Sequence, residues 1–161
     1  MAKGHTKTNA MRILDSKKIP YEIYTYESND GKIDGVSVAN KVGIDPKLVY
    51  KTLVAHSNTK DIFVFVIPVE EELDLKKSAT VSGVKKIEMI PVKDIQKLTG
   101  YIRGGCSPIG MKKAYPTFID EHANNLQSIV VSAGKIGMQV ELKVDDLIVS
   151  TNGSIVDIIK A

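Results

Sequence analysis

The sequence predicts an α+β domain whose small, mostly antiparallel, curved sheet or barrel is flanked by helices. Three observations indicate this fold class: short segments rich in β-branched and aromatic residues, amphipathic segments between them, and the absence of a regular alternation of strand and helix. A chain of 161 residues, 43% of them hydrophobic, can bury one sizeable core. We therefore expect one domain that spans residues 1–161.

Five segments have the apolar spacing and the end signals of short helices. Thr8 or Asn9 can cap the first of them, Gly43 stops the second, and Pro91 occupies a favoured first-turn position in the fourth. A further helical turn can begin at Asp45-Pro46. The five predicted helices are 10–18, 36–42, 73–81, 91–98 and 144–149.

Seven segments have the composition of strands. Two of them, 50–56 and 62–67, are joined by a short polar linker and predict a hairpin of neighbouring antiparallel strands. We expect this hairpin to form the middle of the sheet. The complete set of predicted strands is 21–26, 50–56, 62–67, 117–119, 129–131, 139–142 and 155–158.

Charge and hydropathy limit the class of protein. The net charge is +3 and the sequence pI is about 8.8, a surplus that tolerates a polyanionic partner without requiring one. Four lysine pairs belong either to ordinary solvated faces or to a basic rim that contacts phosphates. The longest apolar run is far shorter than a membrane span and no signal-peptide pattern is present, so a cytoplasmic location is expected. The pairs are Lys17-Lys18, Lys76-Lys77, Lys85-Lys86 and Lys112-Lys113.

Several common kinds of site do not fit the sequence. Cys106 is the only cysteine, so no intrachain disulfide or cysteine-rich zinc site can form, and its position in a glycine-rich loop favours packing over nucleophilic catalysis. No spacing supports a metal site built from Cys106, His122 and carboxylates. Ser132 has no accompanying histidine and aspartate at triad spacing. The sequence therefore predicts neither a metal nor a cofactor.

The glycine-rich segment 104–110 is a candidate for close approach of backbone to a ligand. It does not form a phosphate-binding P-loop, because that motif needs lysine directly after its second glycine, and Met111 follows Gly110 here. Gly104 and Gly105 nevertheless accept conformations that side chains forbid. Ser132, in the small-residue segment after a predicted strand, could likewise meet a carbonyl or phosphate oxygen, although a plain turn explains it as well.

Lys51 is the most informative charged residue. Alternation along the predicted strand places it on one face with Val49 and Leu53, whereas Thr52 is on the other face. Because an unpaired ammonium is costly to bury, Lys51 either extends to water at the strand end or faces a polar pocket. Alternation alone leaves both roles open.

Four ordered segments together resemble the YbaK/EbsC family, and the resemblance runs over nearly the whole chain. Members of this family deacylate Cys-tRNA(Pro) and Cys-tRNA(Cys), and they are related to the editing domain inserted in bacterial prolyl-tRNA synthetase. The segments are Val49-Tyr50-Lys51-Thr52-Leu53, Leu73-Asp74-Leu75-Lys76-Lys77, Thr99-Gly100-Tyr101-Ile102-Arg103-Gly104-Gly105-Cys106-Ser107-Pro108-Ile109-Gly110 and Ser132-Ala133-Gly134-Lys135.

The resemblance implies a site as well as a fold. Lys51 matches the family's essential residue, and the matching pocket positions are Tyr26, Thr52, Gly104 and Ser132. The backbone amides of Gly104 and Gly105 are expected to bind a developing oxyanion. This sequence departs from some relatives at three positions that bear on substrate preference: Asp34 replaces an aromatic residue, Gln139 an acid, and Ala133 the first residue of a Gly-Gly pair.

The implied reaction is release of cysteine from mischarged Cys-tRNA(Pro) by a trans-editing enzyme. The substrate's own thiol attacks the ester carbonyl, so no enzyme nucleophile is needed, and Lys51 positions the substrate as a cation rather than as a general base. The expected partners are aminoacyl-tRNA and, transiently, prolyl-tRNA synthetase. Two alternatives remain: hydrolysis of alanyl-tRNA(Pro) by an activated water, and a non-catalytic module that binds aminoacyl-tRNA or a synthetase.

Overall fold

The computed structural model describes residues 7–161. Its helices are α1 (Asn9–Ser16), α2 (Gly35–Val42), α3 (Leu75–Ser82), α4 (Ile95–Thr99) and α5 (Val144–Thr151). Its strands are β1 (Glu22–Thr25), β2 (Tyr50–Ser57), β3 (Ile62–Pro68), β4 (Ile87–Met89), β5 (Thr117–Asp120), β6 (Ser128–Lys135), β7 (Met138–Lys143) and β8 (Ser154–Val156). None of these helices is both long and apolar enough to cross a bilayer.

Local side-chain hydrogen bonds define where the helices begin and end. Thr8 caps α1, as predicted, and accepts a hydrogen bond from the Met11 amide. Asp34 caps α2 in the same way by accepting from the Ser37 amide. Gly43 ends α2 in the left-handed conformation, which glycine adopts without steric cost. These local signals make the predicted helix positions accurate at both ends of α2.

The smaller of the two sheets has the order β1-β7-β6 and is entirely antiparallel. In it Ser132 of β6 pairs with Gln139 of β7, which brings two polar side chains next to each other. The register shifts between Ser132 and Lys135, so the end of β6 bulges.

The larger sheet has the order β4-β2-β3-β5-β8. The predicted β2-β3 hairpin is confirmed and each of its strands has a neighbour on its other side. The β3-β5 and β5-β8 pairs are parallel, so the sheet is mixed. The two sheets meet where Val49 and Val130 form a parallel bridge at the start of β2. The predicted α+β fold is confirmed, with two connected sheets in place of one.

One buried cluster joins both sheets to the first helix. Val66 of β3 and Ile119 of β5 belong to this cluster. The cluster also contains Val131 of β6, Val140 of β7 and Met11 of α1, and all five residues are fully buried. A second cluster packs α3 and the residues Ile158 and Ile159, which follow β8, against the opposite face of the larger sheet. Burial on both faces explains why β3 is apolar at nearly every position.

The structure differs from the predicted elements in several places. The predicted strand 129–131 extends to Lys135, so that Ser132 lies within β6 and not after it. β4 was not predicted, because it has only three residues and two of them are exposed. The predicted helix 73–81 begins at Leu75, since Leu73 instead bridges to Ile159. The predicted helix 91–98 divides into a 3-10 turn and the five-residue α4.

Candidate functional site

A cleft of about 670 Å³ opens beside the first half of β2. Its walls are the start of β2, the segment that leads into α2, the loop after α4, and the facing ends of β6 and β7. The residues that line it are Tyr26, Gly31, Ile33, Asp34, Gly35, Val36, Val38, Tyr50, Lys51, Thr52, Leu53, Val69, Arg103, Gly104, Cys106, Ser132 and Gln139.

The cleft exists because one edge of β2 is only partly covered. β4 pairs with Ala55–Ser57, and the Ile90 amide donates to the Val54 carbonyl at 3.2 Å. Between Tyr50 and Leu53, β3 is the only strand within residues 7–161 that pairs with β2, and the bridge of Val49 to Val130 lies just before this stretch. Side chains from both faces of the strand therefore reach the same opening, and Lys51 and Thr52 both line the cleft despite pointing to opposite faces.

Five of the six predicted site residues line this single cleft. They come from four separate parts of the chain and are Tyr26, Lys51, Thr52, Gly104 and Ser132. Lys51 is half-buried, and its Nζ takes part in none of the side-chain hydrogen bonds or ion pairs between described residues. Lys51 therefore lines the cleft without an ionic partner among the described residues, and its role there stays a prediction.

Gly105 lies outside the cleft lining. It is buried, its amide donates to the Ile102 carbonyl at 3.0 Å, and an added Cβ would stand 2.8 Å from the backbone nitrogen of Ile136. The amide of Gly105 is therefore committed to the loop and is not available for an oxyanion. The neighbouring Gly104 amide donates to no other described residue, and Gly104 has a φ of +87°.

The inner wall of the cleft carries polar atoms without protein partners. Thr52 Oγ1 and Gln139 Oε1 are buried and have no hydrogen-bond partner among residues 7–161. Ser132 Oγ accepts from the Gly134 amide at 3.2 Å, which leaves its hydroxyl hydrogen available. Buried polar atoms are normally satisfied, so this wall is suited to a ligand that brings its own donors and acceptors.

Lys41 holds the outer wall in place. Its Nζ donates to the carbonyls of Glu27 and Lys32 at 2.6 and 2.9 Å and pairs with Asp30 at 2.8 Å. The same ammonium lies 5.9 Å from the ring centroid of Tyr26. One lysine therefore fixes both the segment that closes the cleft and a predicted pocket residue.

The departures from relatives have clear structural positions. Asp34 lines the cleft as the cap of α2, where both of its oxygens accept from Ser37, and these hydrogen bonds lower the pKa of the Asp34 carboxyl. Gln139 lines the inner wall. Ala133 is fully buried in the core and does not line the cleft.

Arg103 and Cys106 are two of the twelve lining residues that were not among the predicted site residues. Arg103 is exposed at the rim of the cleft, and Cys106 is mostly buried in its wall. Burial raises the pKa of the Cys106 thiol to about 11, so it is neutral near pH 7 and a poor nucleophile. His122 lies outside the cleft lining, and its Nδ1 contacts the buried Asp120 at 2.8 Å. Residues 7–161 contain no cluster of three or more potential metal ligands from histidine, cysteine, aspartate and glutamate.

Comparison with known proteins identifies the family of this fold and cleft. The aminoacyl-tRNA editing domain matches residues 34–149, which include β2, the glycine loop and the Ser132 segment. The chain belongs to the aminoacyl-tRNA editing domain family. A member of the family from Enterococcus faecalis, which carries the assigned name Cys-tRNA(Pro)/Cys-tRNA(Cys) deacylase EbsC, is 48% identical over 160 residues that cover 98% of each chain. The resemblance inferred from the four motifs is thereby confirmed.

Solved structures agree on the editing-domain fold. One, described as a trans-editing enzyme for prolyl-tRNA synthetase, has a TM-score of 0.84 at 18% identity and covers 98% of this chain and 100% of its own. Another, a protein described as hypothetical, has a TM-score of 0.86 at 16% identity over 95% of this chain and 100% of its own. At these identities the likeness establishes the fold alone.

Proposed function

We propose that this protein releases cysteine from mischarged Cys-tRNA(Pro) as a trans-editing deacylase. The observation that carries the proposal is the composition of the cleft. The cleft contains Lys51, which has no ionic partner in the described chain, and the Thr52 hydroxyl, which has no hydrogen-bond partner there. Its described residues include no activated nucleophile. Family membership and the deacylase name of the Enterococcus faecalis relative support the same reaction.

The substrate thiol supplies the nucleophile. It attacks the ester carbonyl of the same cysteine, a carbon–sulfur bond forms, and the ester carbon–oxygen bond breaks. The thiol proton ends on the departing ribose oxygen, so that tRNA and a cyclic thioester of cysteine are released. Ideal proximity of two reacting groups lowers the activation free energy by roughly 7–11 kcal/mol. The proposed role of the cleft is to fold the cysteinyl ester into that geometry.

Lys51 and the Gly104 amide are the proposed positioning groups for this step. The Lys51 cation holds the terminal ribose or the carbonyl oxygen. The Gly104 amide, which has no acceptor among the described residues, donates to the developing oxyanion, a contact typically worth about 3 kcal/mol. Tyr26, Thr52 and Ser132 shape the pocket around the cysteinyl group.

A deacylation panel tests the proposal. Purified protein is incubated with tRNA(Pro) charged with cysteine, alanine or serine, and release of each amino acid is followed. We expect rapid loss of cysteine and retention of alanine and serine, because only cysteine carries the thiol. Hydrolysis of alanyl-tRNA(Pro) would indicate an activated water instead, and binding without release of any amino acid would indicate a non-catalytic module.

Selection of tRNA(Pro) is proposed to come from a transient complex with prolyl-tRNA synthetase at the site of translation in the cytoplasm. A domain of this size whose cleft is occupied by the aminoacyl end has little surface left to read bases elsewhere in the tRNA. Rates on Cys-tRNA(Pro) and Cys-tRNA(Cys) are compared with and without the synthetase. The synthetase should accelerate only the first, and equal rates in its presence would contradict the complex.

A further inference from the structure

Arg103 is a cation at the cleft that neither the fold nor the deacylation chemistry described above requires. The chain has 22 cationic side chains, of which only Arg12 and Arg103 are arginines. Arg103 is exposed in the loop that follows α4 and lines the cleft together with Lys51. No hydrogen bond or ion pair links it to another residue within 7–161.

The loop that carries Arg103 is held by close packing of its two glycines. An added Cβ on Gly104 would lie 2.8 Å from Ile33 Cδ1, and one on Gly105 would lie 2.8 Å from the Ile136 amide nitrogen. The Gly105 amide also closes a turn onto the Ile102 carbonyl. The backbone on the C-terminal side of Arg103 is therefore fixed against the cleft wall, which directs this residue to the rim.

The charges around the cleft favour an anion near Arg103. Lys51 and Arg103 share the lining with one carboxylate, Asp34, and both oxygens of that carboxylate accept hydrogen bonds from Ser37. An aminoacyl ester has no free carboxylate and its amino group is cationic or neutral, so the permanent anions next to the aminoacyl end of a charged tRNA are the phosphodiesters of its 3′ strand. The planar guanidinium suits two phosphate oxygens at once, whereas an ammonium acts as a point charge.

We propose that Arg103 binds a backbone phosphate of the single-stranded 3′ end of tRNA and thereby holds that strand at the cleft while Lys51 engages the terminal aminoacyl-ribose. The inference rests on the proposed function for the identity of the RNA. It adds a contact to the nucleic acid that lies outside the reacting cysteinyl ester. Arg103 is thus a binding residue for the strand and acts on the reaction only by placing the ester.

The first test measures binding, which needs no turnover. A fluorescent single-stranded RNA hexamer ending in CCA is titrated with the native protein, Arg103→Gln and the matched control Arg12→Gln, which removes the exposed arginine of α1. Arg103→Gln should weaken binding about tenfold or more. It should also reduce the salt slope by about 0.7, the value for one phosphate contact to a single strand. Arg12→Gln should do neither, and native-like affinity and slope in Arg103→Gln would overturn the inference.

The second test separates this contact from the chemistry. Deacylation is compared on Cys-tRNA(Pro) and on cysteinyl-adenosine, which has no phosphate. Arg103→Gln should lose kcat/KM at least tenfold more on Cys-tRNA(Pro), through KM, and Arg103→Lys should keep the salt slope with an intermediate KM. Equal losses on both substrates would overturn the phosphate contact. RNA binding that depends on Arg103 without any deacylation by the native protein would instead contradict the proposed function alone.

Discussion

The ring of Tyr101 lies across Gly134, so closely that an added Cβ on Gly134 would stand 2.7 Å from Tyr101 Cε1. Gly134 has a φ of +98° and belongs to the bulged end of β6, next to Ser132. The Tyr101 hydroxyl donates to the Ile109 carbonyl at 2.7 Å. This contact therefore joins both ends of the glycine-rich loop to the strand that carries Ser132, and it fixes two walls of the cleft relative to each other.

Replacement of Gly134 by alanine should destabilise the protein strongly. The substitution combines a left-handed backbone, which costs an alanine roughly 1–2 kcal/mol, with a collision against a buried ring. We expect a loss of at least 2–3 kcal/mol in the free energy of unfolding, measured by urea denaturation. Gly83→Ala is the matched control, because Gly83 has a φ of +74° and no atom within 4 Å of an added Cβ. Similar losses in the two variants would refute the steric contribution of Tyr101.

Thr52→Val should separate stability from activity. Thr52 Oγ1 is buried without a partner in residues 7–161, so an isosteric methyl removes an unsatisfied hydroxyl and should leave the free energy of unfolding unchanged or raise it. If the hydroxyl contacts substrate, as proposed, deacylation of Cys-tRNA(Pro) should nonetheless fall about tenfold.

The matched substitution for Thr52→Val is Thr117→Val. Thr117 Oγ1 donates to the Tyr115 carbonyl at 3.0 Å, and its valine variant should therefore lose roughly 1 kcal/mol of stability. Urea denaturation of both variants provides the comparison. A Thr52→Val protein that is as destabilised as Thr117→Val, or that keeps full activity, would contradict a substrate contact by the Thr52 hydroxyl.

The elements that the sequence predicted well are those with local signals. The capping threonine before α1, Gly43 after α2 and the apolar β2-β3 hairpin all follow from neighbouring residues. The parallel pairing of β5 with β3 and β8 depends on contacts between distant segments, for which the sequence has no local pattern. β4 was missed for the same reason, since its pairing with β2 determines a strand of only three residues.

The candidate site was predictable only in part. Ordered motifs led to Lys51 and most of its neighbours, although strand alternation separated Lys51 from Thr52, because an open strand edge cannot be inferred from alternation. The cleft position of Gln139 follows from its register with Ser132, which only the folded pair defines. Gly105 belonged to the right loop, but whether its amide was free depended on the turn to Ile102.

Cys106 should react slowly despite its place in the cleft wall. Burial raises the pKa of its thiol from 9.0 to about 11, so the thiol stays protonated up to pH values near 11. At pH 8 its thiolate fraction is roughly a hundredfold below that of an exposed cysteine, and alkylation by iodoacetamide should slow accordingly. Deacylation by Cys106→Ala should stay close to the native rate. Rapid alkylation at pH 8, or loss of activity in a folded Cys106→Ala protein, would assign this thiol a chemical role.

Removal of the Lys51 cation should abolish editing without unfolding the protein. Lys51→Ala removes the whole side chain, whereas Lys51→Met keeps an apolar stem in the half-buried position. Both should lower kcat/KM on Cys-tRNA(Pro) by roughly 100-fold or more, because the cation is proposed to act where charge develops. Neither should lower the free energy of unfolding by more than about 1 kcal/mol, since Lys51 has no ionic partner in residues 7–161 to lose. Lys85→Met, at an exposed lysine outside the cleft, controls for the change in net charge. Full activity in a folded Lys51→Met protein would show that the cleft positions its substrate without this cation.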